Sequence, residues 1–356
     1  MPPRFSADLL SVQPAQVLAQ LGSVTALTNV SITDRGNSRY VQIKGLHHAA
    51  FGRPAWESAF ETFYSKELLE KIFDVKKQWF KDEIDRSEVP TYLEQPLRKL
   101  LQRFSIDLHD KTVLDFGCGC GASPVILAKL GAKKIVGVDS SKDAIAIARL
   151  RARDYSLANK LDFLHLRDTR KLPFKDGSFA VIFCNGVIEH IPIEERGSYI
   201  AELWRLLALG GYLVFHDTPN RLWPIDSHTT GLPLVPYLPL KLARKFAARW
   251  SKRIRSDVSL EELIAAGFRG STYWQILNPI RHQHPVVLNK TVDDDIDAFF
   301  EIHLSRGPSS LKRVMIVTLR TLYKILQLVL LRPTGLPVCA FLPWLTICLQ
   351  KQATKT

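Results

Sequence analysis

Residues 111–141 read KTVLDFGCGCGASPVILAKLGAKKIVGVDSS, and this stretch decides the fold. Its first part, Val113–Phe116, is a short apolar run of the kind found in buried strands. A glycine-rich turn and a helical stretch follow, and a second apolar run, Ile135–Val138, comes next. Strand, turn, helix and strand in this order predict a βαβ unit with parallel strands.

The turn carries three alternate glycines, Gly117, Gly119 and Gly121. Glycine lets a backbone bend sharply and approach a ligand that any Cβ atom would push away. The helix that follows offers N–H groups that favour an acceptor or an anion. Asp139 ends the second strand, where a carboxylate can accept hydrogen bonds from ribose hydroxyls. The stretch therefore predicts a nucleoside-cofactor site.

Two details of the turn distinguish among nucleoside cofactors. The spacing Gly-x-Gly-x-Gly departs from the Gly-x-Gly-x-x-Gly pattern of dinucleotide sites. Asp115 stands two residues before the first glycine, where a carboxylate can hold a cationic amino group rather than a pyrophosphate. A nicotinamide oxidoreductase nevertheless stays open as an alternative at this point.

Five segments of the chain resemble the class I S-adenosylmethionine-dependent methyltransferases, in particular the broad small-molecule group called type 11. These segments are LDFGCGCG (114–121), GVDSS (137–141), DTRKLPF (168–174), VIFCNGVIEHI (181–191) and GGYLVFHDTPN (210–220). The resemblance covers residues 95–280 and departs at Ala180, where the family usually has an acid. It implies an α/β fold with a doubly wound, mostly parallel seven-stranded sheet.

The resemblance also implies S-adenosylmethionine as the cofactor. The implied binding set is Asp115 and the backbone of Gly117, Gly119, Gly121, Asn185 and Gly186 at the methionine part, Asp139 and Ser140 at the ribose, and Asp168 and Thr169 at the adenine. Two alternatives stay open, because Asp139 would also serve as a helix N-cap and Asp168 as a turn residue. Cys118 and Cys120 lack a second Cys/His pair, so we interpret them as small turn residues and predict no metal site.

The methyl acceptor is expected at the carboxyl ends of the fourth and fifth strands. A hydroxyl acceptor must lose a proton, and a histidine beside a carboxylate is a suitable general base. His216, which precedes Asp217, ranks first, and His190 ranks second. The predicted substrate residues are Asp217, Asn220, Arg221 and His228. For each histidine, an ordinary role in a loop or in the core stays open.

Composition narrows the class of protein. A chain of 356 residues exceeds one ordinary domain. Five scattered cysteines argue against a disulfide framework, and the first 20 residues lack the apolar core of a signal peptide. We therefore expect a cytoplasmic location, with or without attachment to a membrane surface. The net charge of +13 predicts an anionic partner.

The chain divides into three predicted regions. Residues 1–105 form an extension that is helical from about Trp56, because Trp56, Phe60 and Tyr64 recur every four residues. This extension is either a lid over the cofactor or a layer packed on the sheet. Residues 106–280 form the cofactor-binding core, and residues 281–356 an amphipathic region that ends in a last strand.

Several elements of the core are also predicted. The crossover helices are Pro124–Leu130, Lys142–Ala158 and Glu194–Leu207, the last ended by Gly210-Gly211. Thr272–Leu277 is the predicted sixth strand and Leu345–Gln350 the seventh, antiparallel one.

Two basic and apolar segments stand outside this core pattern. Residues 241–256, KLARKFAARWSKRIRS, carry seven basic residues, no acid and apolar side chains at every fourth position. Such a helix is typical of a membrane surface or of a docking face for an acidic carrier protein, although a core-facing stripe is the common alternative. Residues 311–331 are more apolar but carry four basic residues, which argues against a spanning helix. We predict an amphipathic element that roofs an acceptor pocket or rests on a bilayer.

These observations predict a methyltransferase that acts on a small molecule. The expected acceptor is a hydroxyl on a hydrophobic or lipid-linked compound. Two alternatives are a nucleic-acid methyltransferase and an inactive S-adenosylmethionine-binding partner subunit. Nucleic acid is not the predicted partner. Enzymes that methylate a flipped base grip it with a polar residue, two prolines and an aromatic, whereas residues 185–188 here are Asn-Gly-Val-Ile and lack that pattern.

Overall fold

A computed structural model describes residues 29–48, 53–290, 295–305 and 310–352. The predicted absence of a signal peptide concerns residues outside these ranges. The strands are β1 (Asn29–Arg35), β2 (Ser38–His48), β3 (Arg53–Thr62), β4 (Thr112–Phe116), β5 (Lys134–Asp139), β6 (Leu161–His165), β7 (Phe179–Asn185), β8 (Leu207–Pro219), β9 (Val286–Val287) and β10 (Trp344–Gln350). The α-helices are α1 (Lys66–Lys76), α2 (Phe80–Glu88), α3 (Glu94–Arg103), α4 (Ala122–Lys129), α5 (Lys142–Asp154), α6 (Arg196–Leu206), α7 (Leu240–Trp250), α8 (Leu260–Ala265), α9 (Tyr273–Leu277), α10 (Asp295–Ser305), α11 (Ser310–Leu326) and α12 (Arg332–Thr334).

The main sheet has seven strands in the order β6-β5-β4-β7-β8-β10-β9. Strands β6, β5, β4, β7 and β8 pair in parallel, whereas β10 runs antiparallel to β8. This topology confirms the predicted doubly wound, mostly parallel sheet. The predicted last strand is present as β10, and its first residue, Trp344, pairs with Pro219 at the carboxyl end of β8.

The predicted sixth strand is wrong. Thr272 is an N-cap whose side chain accepts from the Gln275 N–H, and the Gln275 side chain accepts from the Thr272 N–H, which is a capping box. Residues 273–277 therefore form helix α9. The sheet position is filled instead by the two-residue strand β9, which pairs with Leu349 and Gln350 of β10.

The start of the N-terminal extension also differs from prediction. Strands β1, β2 and β3 form a separate antiparallel sheet, and the first described helix begins only at Lys66. A spacing of four residues places side chains on one face of a helix, but equally on one face of a strand. Phe60 lies opposite Val41 in this small sheet, so the repeat around Phe60 belongs to a strand.

A smaller correction concerns Gly210-Gly211. Helix α6 ends at Leu206, and both glycines lie in the irregular first part of β8, where the Gly210 N–H donates to the Lys351 carbonyl at 2.6 Å. They therefore belong to a strand and not to a helix end.

A buried ion pair fastens the extension to the core. Arg151 on α5 donates to the Glu83 carboxylate of α2 at 2.9 Å and to the Cys120 carbonyl of the glycine-rich turn at 2.7 Å. The Arg151 side chain is fully buried. Burial favours a higher pKa for Glu83, but the positive charges of Arg151, Arg86 and Lys76 outweigh it, so the pKa of Glu83 is lowered. The extension therefore packs as a layer against α5 and the back of the turn; a lid role stays a prediction.

Candidate active site

The glycine-rich turn lies between the ends of β4 and β5. The N–H groups of Gly117 and Cys118 both donate to the Val138 carbonyl, at 2.8 and 3.1 Å. Gly117 and Gly121 have φ angles of +73° and +80°. A Cβ at Gly117 would lie 2.4 Å from Cγ2 of Val187, so this position requires glycine both for its backbone angle and for space.

Asp139 connects the turn to the second strand of the core. Its Oδ2 accepts from the Gly119 N–H at 2.9 Å, and its Oδ1 accepts from the Ser141 N–H at 2.8 Å. The alternative that Asp139 is the N-cap of the next helix is wrong, because Ser141 holds that position and accepts from the Ala144 N–H. Asp139 is therefore a half-buried carboxylate at the mouth of the turn.

Two polar side chains near the turn, one buried and one half-buried, have buried polar atoms without a partner in the described structure. Oδ2 of Asp115 and both polar side-chain atoms of Asn185 have no hydrogen-bond partner in the described structure. Val113 and Val181 pair across neighbouring strands, so Asp115 and Asn185, each an even number of residues further on, lie on one face of the sheet. Buried polar groups normally have partners, so these atoms indicate a polar ligand.

The electrostatics at Asp115 fit a cationic group. Burial, with a smaller effect of the nearby Asp139, raises the pKa of the Asp115 carboxyl to about 7. An ammonium group beside Asp115 would reverse that shift and give the free oxygen a partner. The turn and these side chains thus fit the amino-acid part of S-adenosylmethionine, and their contact with it stays a prediction.

Asp168 and Thr169 lie after β6. The Asp168 carboxylate accepts from Nε and Nη2 of Arg170, at 3.0 and 2.7 Å, and this pair lowers the pKa of Asp168. Asp168 is more than half exposed in this arrangement. The role of Asp168 at the adenine stays a prediction. That role requires the Asp168 carboxylate either to leave Arg170 or to accept from Arg170 and the adenine amino group together.

Three titratable side chains meet at the carboxyl ends of β7 and β8. Glu189 and His190 lie in a short 3₁₀ turn after β7, and His228 lies in the loop after β8. Oε1 of Glu189 is 3.9 Å from Nε2 of His190, and the two imidazole rings are 5.6 Å apart. One ring nitrogen of each histidine and one carboxylate oxygen of Glu189 all lie within 4.8 Å of one another. We call these residues the Glu-His-His cluster.

Burial keeps this cluster uncharged near neutral pH. It raises the pKa of Glu189 to about 8 and, together with the neighbouring His228, lowers the pKa of His190 to about 3. Oε1 of Glu189 and Nε2 of His228 are buried without a hydrogen-bond partner in the described structure. Nδ1 of His190 lies 2.8 Å from the Ala265 carbonyl, which fixes the neutral tautomer that carries its proton on Nδ1.

The other predicted acceptor residues have different surroundings. His216 pairs with Asn185 in the strand register, and its Nδ1 lies 2.9 Å from Oγ1 of Thr346. Asp217 is exposed and has a φ of +56°. The backbone N–H of Arg221 donates to the Ser271 carbonyl. Ser140 and Gly186, predicted for the cofactor, lie at the ends of β5 and β7.

Asn220 requires a correction. Its Nδ2 donates to the carbonyls of Ala340 and Leu342 at 2.9 and 2.7 Å, and its Oδ1 accepts from the Leu222 N–H. The side chain is buried, so it joins two segments of the chain and does not face an acceptor. The sequence does not reveal this contact, because residues 340–342 are far away along the chain.

Glu189 is the functional candidate that the sequence ranking omitted. The sequence shows that Glu189 directly precedes His190. It does not show that His228 lies close to both residues, because that contact depends on the long loop after β8. Gly267 makes room for both rings, since a Cβ there would lie 2.8 Å from Cε1 of His190 and Nε2 of His228.

Comparisons with known proteins find similarity to methyltransferases. A family model described as a methyltransferase domain matches residues 113–211. The ubiquinone biosynthesis O-methyltransferase of Nitrosococcus oceani is 36% identical over 132 residues, covering 37% of this chain and 53% of that protein. A protein of the same name from Aliivibrio fischeri (strain MJ11) is 27% identical over 238 residues, 66% of this chain and 94% of that protein.

Two further matches are an uncharacterized protein and a solved structure. The uncharacterized protein, from Haemophilus influenzae, is 33% identical over 109 residues, 31% of this chain and 43% of that protein. This chain therefore spans about half the length of the first curated relatives it matches. The solved structure, of the [4+2]-cyclase SpnF, has a TM-score of 0.40 at 17% identity and covers 73% of this chain and 82% of that one. The family model and the curated relatives confirm the family resemblance found in the sequence.

Proposed function

We propose that this chain, whose residues 113–211 form a class I S-adenosylmethionine-dependent methyltransferase domain, transfers a methyl group to a hydroxyl of a hydrophobic or lipid-linked small molecule. The domain supplies the donor site, and S-adenosylmethionine supplies an activated methyl group. The single observation that carries the choice of a hydroxyl is the buried Glu-His-His cluster, because oxygen acceptors must lose a proton on methylation.

The geometry supports His190 as the base. Its Nδ1–H is held by the Ala265 carbonyl, which leaves Nε2 free of a proton and able to accept one from an acceptor hydroxyl. The resulting imidazolium would lie 3.9 Å from the Glu189 carboxyl, which stabilises it when ionised. His216, which ranked first in the sequence, also has its Nδ1 paired, with Oγ1 of Thr346. Its neighbouring carboxylate, Asp217, is exposed, whereas Glu189 beside His190 is buried.

The relatives support the same class of acceptor. Two of them are named as O-methyltransferases of ubiquinone biosynthesis. The apolar surface of the C-terminal region adds support for an acceptor with a lipid tail.

The experiment is a methyl-transfer assay with labelled S-adenosylmethionine and matched acceptors. A phenol that carries a long alkyl or isoprenoid tail is compared with the same phenol without the tail, an aniline analogue, and DNA or RNA. We expect label in the tailed phenol, with a product heavier by one methylene group. Label in nucleic acid alone, or in the aniline but not the phenol, would contradict the proposal.

A matched pair of variants links activity to the cluster. His190→Gln should abolish transfer while binding of S-adenosylhomocysteine stays unchanged. His109→Gln is the control, because His109 is exposed and pairs only with Asp107 near the opposite end of β4. Equal activity of both variants would exclude His190 as the base.

A further inference from the structure

Helix α11 carries an exposed apolar face. Leu311, Val314, Met315, Leu322 and Ile325 lie on one side of the helix, and each is more than half exposed. Within the described residues, one helical stretch, Arg313–Leu331, is long and apolar enough to cross a membrane, and little of it is buried. It comprises most of α11 and the π-helical turn that follows it. A contiguous exposed apolar surface of this kind marks an interaction site.

The hydroxyl side chains on this face donate hydrogen bonds within their own helix. Thr318 and Thr321 are the hydroxyl residues among the exposed apolar ones, and their Oγ1 atoms donate to the Val314 and Val317 carbonyls at 2.9 and 3.0 Å. Hydroxyls satisfied within their own helix suit a hydrocarbon environment, where no solvent partner is available.

The basic residues in the middle of α11 are held on its other side. Arg320 and Lys324 both pair with Asp297 of α10, at 2.7 and 3.0 Å. Tyr323 packs in the same region against Phe300 of α10. One face of helix α11 thus contacts α10, and the opposite, apolar face is exposed. This arrangement fits a helix lying on a surface better than one that leaves the protein to span a bilayer.

Helix α7 presents a second exposed apolar face. Ala243 and Ala247 are its buried residues, whereas Leu242, Phe246 and Trp250 of the stripe noted in the sequence are exposed. The fourth residue of that stripe, Ile254, lies beyond the end of the helix and is buried. Within α7, the alternative of a core-facing stripe is therefore wrong. Basic side chains surround the exposed stripe: Lys241, Lys245, Arg249 and Lys252, all exposed.

Both helices are attached at the acceptor end of the sheet. Helix α7 belongs to the connection that leaves the carboxyl end of β8. The Tyr323 hydroxyl of α11 donates to the Phe341 carbonyl at 3.1 Å, just before the start of β10, and that start pairs with Pro219 at the end of β8. The carbonyls of Ala340 and Leu342 in turn accept hydrogen bonds from the Asn220 side chain, which directly follows β8.

We propose that the exposed faces of α11 and α7 form a docking surface for an anionic lipid bilayer. Charge complementarity carries this choice of partner. The chain has a net charge of +13, the segments 241–256 and 310–334 contain no acidic residue, and an apolar face beside lysine and arginine binds anionic headgroups and the acyl boundary together. The surface lies at the end of the sheet where a lipid-linked acceptor would enter. Vesicle binding itself requires neither donor nor methyl transfer, so it is tested apart from the proposed function.

The experiment is co-sedimentation of the full chain with vesicles of phosphatidylcholine, with and without phosphatidylglycerol, at low and high salt. We expect binding to the vesicles with phosphatidylglycerol and about tenfold weaker binding at high salt. The variant Leu322→Ser/Ile325→Ser should bind at least about tenfold more weakly, because it removes apolar contact with the acyl boundary. Lys245→Gln/Arg249→Gln should lose the preference for phosphatidylglycerol.

The control substitution is Leu209→Ser, which removes a leucine that is at least as exposed, at the opposite end of β8. Circular dichroism and binding of S-adenosylhomocysteine should be unchanged in all these variants, which separates lipid binding from folding and donor binding. The proposal is overturned by equal binding of the leucine variant and its control, or by equal binding to both kinds of vesicle. Resistance to alkaline carbonate extraction would indicate a spanning helix instead. An α11-dependent dimer without lipid would assign the face to a second copy.

Discussion

The Gly119 N–H donates to Oδ2 of Asp139 at 2.9 Å, so the middle of the glycine-rich turn is fastened to the end of the neighbouring strand. The second oxygen of Asp139 accepts from the Ser141 N–H, at the start of the next helix. One carboxylate therefore organises the turn, the strand end and the helix start. A ribose placed against Asp139 would meet a carboxylate that the protein already holds in position.

Gly117→Ala should abolish donor binding, because it introduces a Cβ 2.4 Å from Val187 Cγ2 at a φ of +73°. Gly210→Ala is the matched control: its φ is +77°, but nothing lies within 4 Å of the added Cβ. Both substitutions carry the left-handed backbone cost of about 1–2 kcal/mol. Calorimetric titration with S-adenosylhomocysteine should show binding to the Gly210 variant only. Comparable affinities would mean that the turn does not contact the donor.

Donor affinity should depend on pH through Asp115. Its pKa of about 7 in the free protein means that the carboxyl is mostly protonated at pH 6 and mostly ionised at pH 8. Because the donor's ammonium group binds the ionised form, affinity for S-adenosylhomocysteine should rise about tenfold over this range. Asp115→Asn should bind more weakly and lose the pH dependence, whereas Asp110→Asn, at an exposed acid, should keep it. A flat profile for the unmodified protein would refute this role.

The rate of methyl transfer should rise as Glu189 ionises. Burial gives Glu189 a pKa of about 8, and His190, with a pKa of about 3, stays neutral throughout. We therefore expect turnover to increase between pH 7 and pH 9, with no loss from protonation of His190 above pH 5. Glu189→Gln should remove the increase, which a pH profile of turnover with saturating donor would show. His216→Gln should retain the increase; its disappearance in that variant would instead favour His216, as the sequence ranking did.

The Glu83–Arg151 pair should be a major contributor to stability. Removing one partner of a buried ion pair costs about 3–5 kcal/mol, because the other charge is left uncompensated. Arg151→Met should therefore lower the free energy of unfolding by that amount, and Glu83→Met/Arg151→Met by less. Arg98→Ala breaks an exposed pair with Glu94 and should cost under about 1 kcal/mol. Denaturant unfolding measures all three, and equal costs would show that burial does not matter here.

Local patterns in the sequence were enough to predict the βαβ unit and its glycine-rich turn. The glycines of the turn and Asp139 lie within one βαβ unit, where the order of strand, turn and helix determines their relative positions. The final antiparallel strand was also predictable, because residues 345–350 form an apolar run of strand length. Thr272–Leu277 was misassigned because its aromatic and β-branched residues favour a strand, although Thr272 and Gln275 are spaced as a capping box.

Contacts between distant residues were not predictable from these patterns. The meeting of His190 with His228 depends on how the loop after β8 returns over β7, and Gly267 from a third segment makes room for it. Likewise, a repeat of four residues does not reveal which side of a helix is buried. In α7 the small side chains of Ala243 and Ala247 face inward, and the larger aromatic ones remain outside.

The most direct measurement of the central claim is calorimetric titration of the purified chain with S-adenosylhomocysteine and, separately, with NAD. We predict one binding site per chain for S-adenosylhomocysteine, lost in Gly117→Ala, and no binding of NAD. Absence of binding to the unmodified protein, or preferential binding of NAD, would contradict the account.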